Sequence, residues 1–308
     1  MLLVHKNPYK ETYFGTPLES FKYSDSETNP ALYHFVMEPF YLISEVPFYF
    51  AEVKLLKLFD GRIPLYLLFA TLLLGGYFFI KDRENKLLFV VLMTFNPMTL
   101  RFLLEGRSDM YMLPFLFFGL IFLHKRQFAV ASIFVALAFT VKQNAWPFLP
   151  FFIYFLWLKT ENFKLLFKYL LVFVITAMVF ILPFFLWDPH AFLDSTVFYL
   201  SGNTAHAYPI SGFGFSQLLR DFGVIKDAHA AYPFAIWQLI IGLPVLIVLL
   251  RYLKKNPTVK VLIVCYTIFL AVFWYFSRYF NDSHIGFISS LLIIAYFWPE
   301  EKRVKKIA

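Results

Sequence analysis

Three short polar patches hold most of the side chains able to do chemistry in an otherwise apolar chain. Glu105-Gly106-Arg107-Ser108-Asp109 opens the apolar run from Met110 to Leu123, and Lys142-Gln143-Asn144 follows the run from Phe128 to Val141. The tight basic turn His124-Lys125-Arg126-Gln127 joins those two runs, so a helical hairpin returns both patches to one end. The third patch, residues 277–284, adds Arg278, Asp282 and His284, and an acid pair, Asp25 and Glu27, lies far upstream. Positioned carboxylates take a proton from an attacking hydroxyl, help worth about 10²–10⁴-fold in rate. Fixed cations neutralise a departing anionic oxygen such as a phosphate. Asp109, Asp25 and Glu27 are candidates for the first role, and Arg107, Lys142 and Arg278 for the second. Gln143, Asn144, Asp282 and His284 are the polar groups left to bind an acceptor.

The elements that position these groups must be membrane helices. Of 308 residues, 60% are apolar, 22% aromatic and only 16% charged, with a mean hydropathy of +0.64, which excludes a water-soluble globule with an ordinary surface. A charge at the bilayer centre costs about 2.5–3.5 kcal/mol on insertion scales, so the ionisable patches belong at interfaces or in a wet cavity. The net charge of +8 is not a nucleic-acid signature, because the basic residues fall in short clusters between apolar runs and read as topology signals. The one cysteine, Cys265, sits in an apolar run and supplies neither an intramolecular disulfide nor a metal site. The expected fold is all-α: a polytopic bundle of about nine spans, near 63–80, 87–104, 110–123, 128–141, 145–158, 165–187, 233–250, 261–276 and 285–298. Several of these runs reach only roughly 21 Å at 1.5 Å per residue, against a hydrocarbon core of about 30 Å. They must extend into their polar flanks, and such ends are tolerated where they line a cavity.

Alternating the spans gathers Lys81, Arg83, Lys86, Lys125, Arg126, Lys159, Lys164, Lys168, Arg251, Lys254, Lys255, Lys260 and the basic carboxy-terminal stretch on one side. That side is expected to be cytoplasmic, together with the carboxy terminus. Most of the acids fall on the other face, which also receives the long connection 188–232. Residues 1–62 form a separate outer segment ahead of the bundle 63–308. Its polar first half is followed by an apolar stretch in which Pro39, Pro47, Glu38 and Glu45 argue against a clean span and for interfacial helices broken by proline. Nothing in the first residues reads as a signal peptide. Since six basic residues of the segment would have to cross, the expectation is a longer protein with a first span upstream of Met1.

Each candidate also has a plainer reading. Arg107 and Asp109 can be a turn pair that ends a span. Lys142 can snorkel to headgroups. Arg278, Asp282 and His284 can belong to an ordinary loop, and Asp25 and Glu27 to a solvated charged stretch. His206 and His229 have no second ligand at metal spacing, so no metal site is expected and no cofactor is called for, although a divalent ion is not excluded.

Asn7-Pro8-Tyr9 in an outer segment, Gly106-Arg107-Ser108-Asp109 opening a hairpin, and a small-residue span ending in Lys142 before Trp146-Pro147 resemble the polytopic GT-C class of membrane glycosyltransferases. The chain is most similar to the mannosyltransferase-like members that use polyprenyl-phosphate-linked sugars. The resemblance implies a helical bundle around a cavity on the extracytoplasmic face. It implies an acid of the first outer loop as base, with Asp25 and Glu27 the nearest match, and basic residues at the outer helix ends on the donor phosphate. It implies transfer of a mannose-like hexose from a lipid-linked donor to a glycan, lipid or protein acceptor, in contact with membrane lipid and without nucleic acid. The chain's compactness points to a prokaryotic cell membrane. Two other functions stay open: a transporter of lipid-linked saccharides, which would spread charge through the membrane depth, and an inactive truncated homologue.

Overall fold

The computed structural model describes residues 2–20 and 29–301, which are mostly helical with almost no strand. Short 3-10 turns in the first segment lead into helix α1 (Pro39–Leu56). Then come α2 (Arg62–Phe79), α3 (Arg83–Thr94), α4 (Pro97–Leu104), α5 (Ser108–His124) and α6 (Phe128–Phe139). A 3-10 turn, Gln143–Phe148, opens onto α7 (Leu149–Thr160) and the longest helix, α8 (Phe163–Trp187). The following connection holds α9 (Pro189–Leu193), a π turn, α10 (Tyr199–Ser201), strand β1 (Ser211–Gly212) and α11 (Phe215–Asp221). Helices α12 (Phe234–Lys255), α13 (Val259–Tyr275) and α14 (Asp282–Phe297) complete the bundle, with strand β2 (Tyr279–Phe280) between the last two.

Three helices, α2, α8 and α12, are long and apolar enough to cross a membrane; α3 and α4 qualify only jointly, and α5, α6, α13 and α14 are shorter apolar helices. The run read as one span over 87–104 is instead α3 and α4, bent by 55°. Pro97 stands at the first position of α4, where its missing N–H is harmless, and the Asn96 side chain accepts from Met98 N. Asn96 also donates 2.8 Å to Ser289 Oγ on α14, so the break is packed.

Helix α5 is apolar on every side and is buried from Ser108 to Leu123 except at Phe115, Phe118 and Phe122. A helix of that kind belongs in the middle. Helices α2, α6 and α14 pack around it. The outer helices reverse the usual polarity: Phe167, Leu171, Val174, Ile175, Val179 and Leu186 of α8 are exposed, as are Ile236, Leu239, Ile240, Leu243 and Val248 of α12.

The proline-broken segment expected around residues 39–47 is one continuous helix. Pro39 begins α1, and Pro47 lies inside it on the exposed side. The backbone N–H groups of Glu38 and Phe40 donate to Val141 O (3.1 Å) and Thr140 O (2.9 Å), so the free amides of one helix start meet the free carbonyls where α6 ends. From there α1 crosses the first turns of α5, with Tyr41 edge-on to Tyr111 at 4.9 Å and Ser44 Oγ 2.8 Å from Tyr111 OH. It therefore lies across the end of the bundle that carries Asn144 and Arg278, the site end.

Candidate functional site

Asp109 stands in the first turn of α5, where the free N–H groups of a helix start favour a negative charge. Lys142 is extended (φ −157°, ψ 144°) in the break between α6 and the 3-10 turn. Its Nζ reaches back to Asp109 Oδ2 at 2.8 Å. Asn144, two residues on, donates from Nδ2 to the other carboxylate oxygen. The Asn144 carbonyl in turn accepts from Tyr266 OH on α13 at 3.0 Å. Asp109 is 2% exposed, and both of its oxygens are engaged. The hairpin thus does unite Asp109, Lys142 and Asn144 as its geometry required.

Next to this group lies a cavity of about 730 Å³. Gln143, Asn144, Thr196, Asn203, Arg278 and His284 form its polar part, while Trp146, Pro150, Phe234, Phe269, Phe273 and Trp274 continue it as an apolar wall. His284 caps its own helix: Nδ1 lies 2.8 Å from Asn281 Oδ1, and Trp274 meets the ring edge-on at 4.5 Å. The same Nδ1 accepts from Asn281 N at 3.2 Å, so Nε2 carries the proton when that capping bond is made and a lone pair when Nδ1 instead donates to Asn281 Oδ1.

Arg278, also in the cavity wall, is held by backbone. Its Nε donates to Tyr208 O (2.5 Å), Nη1 to Ala230 O (2.8 Å) and Nη2 to Ala228 O (3.3 Å). It is 2% exposed, and no described carboxylate pairs with it within 4 Å. Burial lowers its pKa from the ordinary value. A guanidinium nevertheless stays charged at any physiological pH and carries five N–H donors, so donors remain for an anion. Two glycines permit this arrangement. A Cβ on Gly202 (φ +86°) would meet Arg278 Nη1, and one on Gly212 (φ +95°) would meet Phe280 O where β1 pairs with β2.

Gln143 Nε2 lies within 2.9–3.2 Å of Val36 O, Glu38 Oε1 and Thr196 O, tying the first segment and the long connection to the cavity wall. Glu38 is 1% exposed, and its Oε2 meets no hydrogen-bond partner. Burial pushes its carboxyl up to about 8, so it is neutral at pH 7.

The sequence candidates therefore separate. Gln143, Asn144, Arg278 and His284 line the cavity, and Asp109 and Lys142 sit one side chain behind it. Arg107 does not join them: it is exposed and bonded to Glu105 at 3.0 Å. Asp282 is also off the cavity, 3.9 Å from Arg101 on the surface. Asp25 and Glu27 lie outside the described residues. Sequence reasoning missed Glu38, Thr196 and Trp274 as site neighbours; only Glu38, an acid within an apolar run, left a signal. Tyr9 of the Asn-Pro-Tyr element is a packing anchor, its ring among Phe35, Phe184 and Phe192 and its OH donating to Met37 O at 2.9 Å. His34, Ser195 and Asp194 come together nearby, but Ser195 is sealed and donates to Tyr9 O, which leaves no exposed nucleophile. Among the described residues no group of three or more His, Cys, Asp or Glu converges as a metal site would need. Comparison with protein-family models, curated proteins and solved structures returns no match.

Proposed function

We propose that this protein is an integral membrane glycosyltransferase, moving a mannose-like hexose from a polyprenyl-phosphate donor to an acceptor at the extracytoplasmic face. The observation that carries the reading is the two-sided cavity: a polar part with a fixed guanidinium and an imidazole, continuous with an aromatic wall. An amphiphile with a sugar-phosphate head and an isoprenoid tail matches both sides at once. The apolar outward faces of α2, α8 and α12 meet lipid, and the shorter helices, extended by their polar flanks, complete about nine passes.

In this reading Arg278 pairs with the donor phosphate, and Gln143 and Asn144 hold sugar or acceptor hydroxyls. The acceptor oxygen attacks the anomeric carbon, and the bond from that carbon to the phosphate oxygen breaks. The phosphate leaves with the bonding electron pair, its growing charge met by Arg278. The acceptor proton passes to His284 Nε2 in the tautomer that donates from Nδ1 to Asn281 Oδ1. Asp109 and Lys142 act as positioning residues: they fix Asn144 and place a buried ion pair behind the wall.

A photoreactive short-chain isoprenyl-phosphate mannose tests the placement. Crosslinks are expected in peptides holding residues 146–150 and 269–274, lost under competition by unlabelled donor. Labelling scattered over α8 and α12, with no competition, would remove the basis for this site.

A further inference from the structure

The far end of the bundle holds a second and larger cavity, of about 1110 Å³. Three separate stretches of chain bring lysines to it: Lys81 from the turn between α2 and α3, Lys125 from the turn after α5, and Lys260 from the first turn of α13. None of the three has a described carboxylate within 4 Å. Two other basic groups at this end are engaged: Lys159 pairs with Glu301 at 3.2 Å, and Lys86 lies over the Tyr77 ring at 4.8 Å. Two acids also line the cavity, Asp82 and Glu300, and Asp82 caps α3 by accepting from Asn85 N at 2.8 Å. Three cations against two acids leave one positive charge in excess.

The rest of the lining is aromatic and aliphatic. Phe78, Phe118, Phe122 and Tyr296 stand along the cavity, Phe78 and Tyr296 strongly exposed. Behind them the floor is rigid. Glu301 Oε1 accepts from Val259 N at 2.5 Å, and Trp298 Nε1 donates to His124 Nδ1 at 3.2 Å, which clasps the ends of α5, α7 and α13 to the chain after α14.

We infer that this cavity binds one anionic glycerophospholipid: Lys81, Lys125 and Lys260 take its phosphodiester, and Phe78, Phe118 and Tyr296 line its first acyl carbons. A monoanionic headgroup matches the single excess charge, and the open aromatic rim is continuous with the outward apolar face of α2. The inference needs only that the helices lie in a bilayer. It does not depend on the chemistry at the site end.

Native mass spectrometry of the detergent-extracted protein, offered equal phosphatidylglycerol and phosphatidylcholine, tests it. Wild type is expected to retain one phosphatidylglycerol at least tenfold over phosphatidylcholine. The variant Lys81→Gln/Lys125→Gln/Lys260→Gln should lose that preference, whereas Lys164→Gln/Lys168→Gln, basic positions away from the cavity, should keep it. A diazirine on the acyl chain near the glycerol should label peptides 75–82, 118–125 or 293–299. Equal retention of the two lipids by wild type, unchanged preference in the triple variant, or labels confined to other helices would each overturn the proposal. Binding of soluble glycerophosphoglycerol as tight as that of the lipid would contradict the role of the aromatic rim.

Discussion

Asp109 and Lys142 are each other's only charged partners within reach among the described residues, and both are largely withdrawn from solvent. Removing one partner of such a pair leaves the other buried and unpaired, at a cost of about 3–5 kcal/mol. Asp109→Asn is therefore expected to lower the unfolding midpoint in detergent sharply, and a compensating Lys142→Met should restore part of the loss. If Asp109→Asn melts with wild type, the pair does not hold the wall. Arg278 admits a finer test through its neighbour. Gly202→Ala adds a methyl group where the guanidinium lies, and does so at a positive φ, which alone costs about 1 kcal/mol. We expect donor KM to rise several-fold in steady-state kinetics while the protein still inserts and purifies; an unchanged KM would remove Arg278 from the phosphate. The sequence could nominate Arg278, Arg107 and Lys142 equally, because a basic residue beside a helix end looks the same whether it faces a cavity, a carboxylate or water. Only the fold separates them, by spending Arg107 on Glu105 and Lys142 on Asp109.

At the scale of the element, α1 carries the least expected feature. Glu38, Glu45 and Glu52 recur every seven residues, and all three are buried, with Glu38 Oε2, both Glu45 oxygens and Glu52 Oε1 lacking hydrogen-bond partners. Burial pushes the Glu38 and Glu45 carboxyls up to about 8, with the charge of Glu52 adding to the effect at Glu45. A carboxyl raised in the folded state binds its proton more tightly there than in the open chain. The stability it contributes is complete below about 4.5 and is lost as pH rises through about 8. Hydrogen exchange within α1 should thus accelerate between pH 6 and 9, and Glu38→Gln should flatten that dependence. An α1 equally protected at both pH values, once the intrinsic rise of amide exchange with pH is removed, would show that the Glu38 and Glu45 carboxyls do not titrate in that range. The seven-residue spacing was open to reading in the sequence, but two prolines in the same stretch pointed to broken helices. Pro39 and Pro47 do not break α1, because one supplies its first residue and the other faces outward. The opposite error occurred at Asn96-Pro97, where an apolar run read as continuous hides a cap and a bend.

Across the whole molecule, hydropathy located the helical stretches well because a buried α5 and the lipid-like faces of α8 and α12 both demand long apolar runs. Periodicity could not say which runs are central and which peripheral, since all are apolar. In the proposed membrane setting lipid tails are as apolar as leucine, so close packing and polar ties such as Tyr266 to Asn144 and Asn96 to Ser289 hold the bundle. The membrane arrangement has its own test. In a Cys265→Ser background, Ser201→Cys and Lys125→Cys should react with an impermeant maleimide from opposite sides of sealed vesicles, Ser201→Cys from the extracytoplasmic side; labelling of both from one side would refute the arrangement. Chemistry at the site end is tested most directly by turnover. Protein reconstituted in liposomes with a radiolabelled polyprenyl-phosphate mannose and a mixed set of glycan and lipid acceptors should form glycosidic product and free polyprenyl phosphate in equal amounts. Turnover by His284→Ala should fall by at least 10²-fold, in line with a lost general base, with donor binding kept. Donor binding without product in wild type, or full turnover in His284→Ala, would contradict the central claim.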